Sequence, residues 1–273
     1  MPTNINIIRS VFIERVKYET RSVKTILFKD RVASKAKPGQ FLMVWIPGVE
    51  ELPMSLMVAD DEDCAAITIR RQGVGSTALF GKQIGEMLGI RGPYGNNFKI
   101  APDARTVLLV GGGTGLVPLM RLAAKLNEMR ICCTLIIGAS SKREVFFENT
   151  ADAILSHTKH KIIVSTENGN YGIRGNATEA MTQVLKKETF DSVYTCGPEL
   201  MMKKVLEIAS AYSIPIQASL ERHMKCGIGI CASCCIGDQL VCKDGTIFSD
   251  KQLSEMIEFG MLYRDKTGQK VVY

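Results

Sequence analysis

Residues 106–115 read TVLLVGGGTG. The first five are a continuous apolar run, the pattern of a strand buried on both faces of a parallel sheet. Gly111, Gly112, Gly113, Thr114 and Gly115 then make a tight turn, and the spacing after it predicts an amphipathic helix from Leu116 to about Met129. The alternation continues downstream. Strands are predicted over 132–137, 161–165 and 192–196, with a polar turn at 140–144, helical segments to His157, and helices over 176–187 and 199–212. Strands alternating with helices make a parallel sheet with right-handed crossovers, which takes its ligands at the carboxyl ends of its strands. The glycine run and Cys196-Gly197-Pro198-Glu199 both fall at such ends. The run is not the usual G-x-G-x-x-G, and as a lone motif it could simply be a tight strand-to-helix turn. Two glycine-bearing strand ends in one sheet favour a dinucleotide crevice.

Upstream, short β-type runs at 7–16, 23–28, 41–46 and 65–70 are punctuated by Lys37-Pro38-Gly39-Gln40 and Ile46-Pro47-Gly48. Many short strands with regular turns predict a small antiparallel barrel. Arg70-Arg71-Gln72-Gly73-Val74-Gly75-Ser76-Thr77 passes from a strand into a short helix starting near Ser76. The free N–H groups of a helix N-terminus suit a phosphate, although many such turns bind nothing.

Downstream, a last strand at 213–217 leads to residues 226–242, CGIGICASCCIGDQLVC. Cys226, Cys231, Cys234 and Cys242 stand in a C-x4-C-x2-C…C arrangement, the ligand pattern of a [2Fe-2S] cluster. Gly227 and Gly229 suit a loop that curls tightly and brings amide groups close to sulfur. Zinc is the chemical rival, but structural zinc ordinarily takes two C-x2-C pairs and this loop has one. Cys235 is read as packed against the loop. A turn follows at 243–246, then a short helix at 251–260 and a polar tail to Tyr273. The chain divides into 1–100, 101–213 and 214–273.

Composition narrows the function classes. At 273 residues the chain has room for two domains and an appendage, and its 46% hydrophobic and 23% charged content is that of a globular protein. The net charge of +6 is spread out, with no basic run interleaved with aromatics, which argues against nucleic acid. No stretch approaches the roughly 18 apolar residues of a membrane span, and the first residues hold too short an apolar run for a signal peptide. A cytoplasmic location is expected. Nine cysteines there call for chemistry or burial rather than disulfides, with Cys64, Cys132 and Cys133 read as small buried hydrophobes.

With these residues assembled, the chain resembles the ferredoxin-reductase superfamily, and within it the electron-transfer subunits of NAD-dependent dihydroorotate dehydrogenases. The resemblance spans nearly the whole chain and is carried by Arg91-Gly92-Pro93-Tyr94-Gly95, the glycine run, Cys196-Gly197-Pro198, and Glu221-Arg222-His223-Met224-Lys225-Cys226-Gly227 with the cysteines after it. It implies a β plus α/β fold class: an antiparallel FAD-binding barrel, a parallel-sheet NAD-binding domain and a small C-terminal [2Fe-2S] subdomain. Pro53, Met54, Ser55 and Leu56 match the flavin-contact strand, but Leu52 stands where the superfamily usually has an arginine. Ile69, Arg70 and Arg71 join the flavin set, with Arg70 or Arg71 as the replacement cation. Gly75, Ser76 and Thr77 match the pyrophosphate turn. Gly111 to Gly115, Cys196, Gly197 and Pro198 become the dinucleotide site, with Cys196 near the nicotinamide. NAD rather than NADP is implied by the resemblance alone, since Ser140, Ser141, Lys142 and Arg143 stand where a 2′-phosphate could be read.

The implied partner is an FMN-containing dihydroorotate dehydrogenase catalytic subunit, in a heterotetramer of two of each. A flavin converts between two-electron nicotinamide chemistry and one-electron cluster chemistry. Substrate oxidation then belongs to the partner, and no catalytic residue is assigned here. Two readings compete: a diaphorase-like subunit of a hydrogenase or sulfur reductase, and a non-enzymatic zinc-binding interaction module. The small subunit of electron-bifurcating transhydrogenases fits less well, because it resembles a form without a cysteine at the position of Cys226. Tyr273 is expected at a solvent-exposed end, and His157, His160 and His223 are assigned no chemistry.

Overall fold

Alternation of inward apolar and outward polar residues bends the first hundred residues into a closed barrel. In the computed structural model, which describes residues 4–273, its strands are β1 (Arg9–Tyr18), β2 (Val23–Lys29), β3 (Phe41–Ile46), β4 (Glu50–Met57), β5 (Cys64–Arg70) and β6 (Met87–Tyr94), closed in the order β1-β2-β5-β4-β3-β6. Ile13, Ile26, Phe28, Leu42, Leu56 and Ile67 fill it and are fully buried, each contributing roughly 1.5–3 kcal/mol. Two helices cross the barrel's ends. α1 (Arg31–Ser34) is capped by Asp30, which accepts from the Val32 and Ala33 amides, and α2 (Val74–Gly81) follows β5. β4 escaped the period-two reading because Glu50, Glu51 and Pro53 interrupt its apolar pattern.

The second layer is a seven-stranded sheet. Its strands are β7 (Thr106–Gly112), β8 (Cys132–Ala139), β9 (His160–Thr166), β10 (Ile173–Arg174), β11 (Ser192–Cys196), β12 (Ile216–Ser219) and a last strand, Ile247–Ser249, contributed from beyond the cysteine loop. The helices between them are α3 (Leu116–Glu128), α4 (Glu148–Ile154), α5 (Ala177–Leu185) and α6 (Glu199–Ala211). The order is β10-β9-β8-β7-β11-β12 and then Ile247–Ser249, which alone runs antiparallel. β12 begins three residues later than the sequence suggests. Ser213 takes a positive φ of 56° to end α6, the Ile214 amide caps Ala209, and Pro215 delays pairing.

Gly111 pairs with Cys196 across β7 and β11, and Cys196 pairs with Ser219 across β11 and β12. The cysteine loop therefore leaves the sheet at Ser219 and returns at Ile247, one strand from the dinucleotide ends. The Leu220 amide donates to the Thr246 carbonyl at 2.9 Å and closes its neck. Within the loop lies a small hairpin, β13 (Cys235–Ile236) with β14 (Gln239–Leu240); Ile247–Ser249 is β15, and α7 (Asp250–Glu255) follows. The tail, read from sequence only as polar, forms a hairpin of β16 (Leu262–Arg264) and β17 (Lys270–Val272).

Barrel and sheet share a core, in which Met57 and Ala66 pack with Leu116, Leu119 and Met120 of α3. Arg121, also on α3, ties the two bodies. Its guanidinium donates to the carbonyls of Ala36 (2.8 Å), Met57 (2.9 Å) and Ser34, all on the barrel side, and burial pushes its pKa down. No helix among the described residues is long and apolar enough to cross a membrane.

Candidate functional site

A cavity of about 970 Å³ lies between barrel and sheet. Its barrel wall is Leu52, Pro53, Met54, Arg70 and Ser76; its sheet wall is Gly112, Gly113, Thr114, Gly115, Gly197 and Pro198. A smaller cavity of about 230 Å³ adjoins it and adds Ser55, Thr68, Ile69 and Ser219, while a third, of about 450 Å³, runs along the sheet past Gly138, Ser140, Glu144 and Glu167. Together these make a trough across the carboxyl ends of the strands, where sheets of this kind take their ligands.

Backbone crowding explains the glycines. A Cβ on Gly115 would lie 2.3 Å from the Cys196 carbonyl oxygen and 2.5 Å from the Gly197 nitrogen, so the turn after β7 approaches the end of β11 that closely only through glycine. On the barrel side, a Cβ on Gly75 would meet the Glu50 carboxylate at 2.0 Å. The α2 turn is ordered by the Ser76 hydroxyl, which accepts the Gly73 and Gln72 amides at 2.8 and 3.1 Å. Its far end is held by Lys24, wholly buried, whose Nζ donates to the Phe80 carbonyl at 2.7 Å and also to that of Lys82. A cation at a helix carboxyl end complements the dipole whose positive end faces the trough.

Of the other residues singled out from sequence, Leu56 lies in the barrel core, Gly111 and Cys196 lie behind the sheet wall, and Thr77 faces outward. The two arginines separate. Arg70 lines all three cavities and pairs with Glu144 across the trough at 2.5 Å. Arg71 lies over the Phe80 ring at 5.5 Å and lines none of them. Neither Lys142 nor Arg143 lines the third cavity; Lys142 sits 4.8 Å over the Tyr171 ring, and the carboxylates of Glu144 and Glu167 are there instead.

Burial pushes the Cys196 thiol well up, with the neighbouring Glu221 carboxylate adding to it. Glu221 is exposed at the trough wall, and desolvation by the protein around it pushes its carboxyl up. The floor holds features that the sequence reading passed over. His223 lines the main cavity, with burial and then Lys225 pushing its pKa down. Tyr273 is not a free end. It stays 46% exposed, as expected, but packs against Tyr263 with ring centroids 5.1 Å apart and planes tilted by 43°, and it lines the same cavity. Burial and the Glu199 carboxylate push its phenol up. The β16–β17 hairpin places it there, and two-residue alternations in a polar tail gave no signal long enough to predict that hairpin.

The cysteine loop is shaped around sulfur. Cys226 Sγ accepts from the amides of Ile228, Ile230 and Cys231 at 3.3 to 3.5 Å, and the Gly229 amide donates to Cys242 Sγ at 3.2 Å. Gly227 and Gly229, at φ of 72° and 79°, make that curl. Cys231 neighbours Cys226, and Cys242 neighbours both Cys234 and Cys226. Burial raises the Cys231 thiol, but hydrogen bonds from Ser233 and Cys226 outweigh it and hold it down at about 6. Burial and Cys234 push Cys242 up to about 12. Among the described residues no three His, Cys, Asp or Glu side chains converge to hold a single ion. Four cysteines in a loop whose backbone amides donate to sulfur fit the thiolate ligands of a [2Fe-2S] cluster. Cys235 starts β13, and its carbonyl accepts from Arg264 at 3.3 Å.

Comparison with known proteins agrees with this arrangement. The iron–sulfur cluster binding domain of dihydroorotate dehydrogenase B matches residues 221–254, and the oxidoreductase NAD-binding domain matches residues 109–207. The probable dihydroorotate dehydrogenase B (NAD(+)) electron transfer subunit of Methanocaldococcus jannaschii is 39% identical over 264 residues, covering 96% of this chain and 97% of that one. The corresponding protein of Pyrococcus horikoshii is 40% identical over 267 residues, covering 96% and 98%. The chain belongs to the family of dihydroorotate dehydrogenase B electron-transfer subunits. Among solved structures, a chain of the NADH-dependent reduced ferredoxin-NADP oxidoreductase superposes with a TM-score of 0.80 at 26% identity, covering 91% of this chain and 92% of that one. A ferredoxin NADP+ reductase from Neisseria gonorrhoeae shares the fold, with a TM-score of 0.64 at 19% identity over 75% and 91% of the two chains.

Proposed function

We propose that electrons cross this chain between the cysteine loop and the nucleotide end of the trough, and that residues of both walls hold the carriers. The chain is an electron-transfer subunit of a dihydroorotate dehydrogenase B and uses FAD, a [2Fe-2S] cluster and NAD. The observation that carries the reading is the placement of the cysteine loop. It springs from β12 and returns as β15, beside the strand ends of β7 and β11 and across the trough from the flavin-type strand β4.

FAD supplies the exchange between hydride transfer and single-electron transfer. Around it the chain's own residues have defined tasks. Pro53, Met54, Ser55 and Ile69 form the wall for the ring, while Ser76 and the first amides of α2 take the pyrophosphate, with Arg70 in place of the arginine that Leu52 displaces. Gly112 to Gly115, Gly197 and Pro198 let the nicotinamide dinucleotide approach backbone closely. Cys226, Cys231, Cys234 and Cys242 hold the irons, and the amides of Ile228, Gly229 and Ile230 donate to their sulfurs.

The partner in this reading is an FMN-containing catalytic subunit that oxidises dihydroorotate for pyrimidine synthesis, in an assembly of two of each chain. A cytoplasmic setting belongs to the same proposal, supported by nine cysteines with no disulfide among them. Purified alone, the chain is expected to reduce dyes with NADH and to leave dihydroorotate untouched. Dihydroorotate-dependent NAD+ reduction should appear only when the FMN-bearing subunit is added. Complete activity from the single chain, or none from the reconstituted pair, would refute this division of labour.

A further inference from the structure

Glu199 and Arg222 form the most deeply buried ion pair among the described residues, with side chains 4% and 3% exposed. The guanidinium grips the carboxylate at both ends, Nη2 to Oε1 at 2.8 Å and Nη1 to Oε2. Nη1 also donates to the Glu221 carbonyl at 2.9 Å, and the Gly260 amide donates to Glu199 Oε1 at 2.8 Å. Three distant segments thus meet on one carboxylate. Glu199 opens α6 directly after Gly197-Pro198 at the dinucleotide strand end, Arg222 stands four residues before Cys226, and Gly260 precedes the hairpin that carries Tyr273.

Stability alone is a weak reason for such a pair. Taking two charges out of water consumes most of their attraction, and apolar side chains of similar volume often do as well or better. A planar fork on a carboxylate instead fixes direction, which a hydrophobic contact does not. The parts it aligns are the two ends between which electrons must pass.

We propose that Arg222 is a positioning residue: through Glu199 it locks the nicotinamide-side strand end and the start of the cysteine loop in one mutual register, and electron passage between nucleotide and cluster depends on that register. The inference rests on the electron-transfer reading above. Hydride delivery from the nicotinamide needs near-attack geometry, and a misplacement of about 1 Å there costs on the order of a hundredfold in rate, so loss of the fork should slow the passage from NADH to the cluster without unfolding the chain.

The test is the charge-free double variant E199M/R222M beside R222K, which keeps the charge and loses the fork. Four readouts are compared with the parent: thermal unfolding, flavin and iron content, the EPR line shape of the dithionite-reduced cluster, and the single-turnover rate at which NADH reduces the cluster. The expected double variant unfolds at or above the parent's temperature and carries full flavin and iron. It reduces its cluster at least tenfold more slowly, with a shifted EPR line shape, and R222K falls between. A double variant with the parent's rate and line shape overturns the proposal. Should it fail to fold, R222K and E199Q decide the matter: slowed reduction in both supports the register, and the parent's rate in either overturns it. A parent protein that binds no flavin or iron would overturn the electron-transfer reading and this proposal with it.

Discussion

Replacing Gly115 by alanine tests whether the dinucleotide end of the trough is set by backbone contact. The added Cβ would lie 2.3 Å from the Cys196 carbonyl oxygen, 2.4 Å from its carbon and 2.5 Å from the Gly197 nitrogen. All three atoms are backbone, so no rotamer change relieves the clash. Ordinary contact begins near 3.4 Å, so the turn after β7 and the end of β11 must part by about 1 Å, a disturbance of the size that costs up to about a hundredfold at a reacting centre. Overpacking of this kind also costs roughly 1–3 kcal/mol of stability. The flavin wall and the cysteine loop contain none of the displaced atoms. G115A should therefore retain flavin absorbance and iron content, while kcat/KM for NADH in dye reduction falls between tenfold and a hundredfold. Unchanged NADH kinetics would refute the close approach of the turn after β7 to the end of β11 as the basis of the site. Equal loss of flavin would show that the two walls are not independent.

Four further outcomes follow from the geometry. C234S should lose most iron and sulfide and the visible spectrum of the cluster, whereas C235S should keep both, as iron assay and EPR would show. R70Q should weaken FAD binding by about tenfold, or ~1.4 kcal/mol, and R71Q should leave it near the parent value, as measured by flavin fluorescence on dissociation. E167S should raise the use of NADPH relative to NADH in dye reduction, because the carboxylate that opposes a 2′-phosphate in the third cavity is removed. The Arg264 guanidinium pulls the Glu258 carboxyl from its ordinary 4.5 down to about 2. A carboxyl lowered in the folded state stabilises it fully above about pH 4.5 and loses that contribution as the pH falls toward 2. Amide protection factors in the β16–β17 hairpin, taken relative to intrinsic exchange at each pH, should therefore fall over that window in the parent, and E258Q should show the lower protection already at neutral pH with little further loss in acid.

Much of this molecule is legible in local pattern. The apolar run before Gly111 could only be a doubly buried strand, and its glycines mark a contact that the structure places on the Cys196 carbonyl. The four cysteine positions carry their own spacing. What escaped depends on long-range pairing. β15 is three residues long and has meaning only beside β12, so nothing in its own sequence reveals that the cysteine loop is an excursion from the nucleotide sheet. Arg121 reads as one more charge on an amphipathic helix, and only the barrel's carbonyls give it a role. Arg222 and Glu199 lie 23 residues apart with ordinary neighbours, and no periodicity links them. Tyr273 was placed by a hairpin of three-residue strands, below the length at which alternation can be recognised.

The most direct measurement is an anaerobic titration of the purified chain alone with NADH, followed by absorbance and low-temperature EPR. Passage of electrons through this one chain predicts that NADH bleaches the flavin and that the EPR signal of a reduced [2Fe-2S] cluster grows with it. It also predicts that C234S keeps the bleaching and loses the signal. A flavin that bleaches while the intact cluster stays oxidised and silent, or a loop that carries zinc, would contradict it.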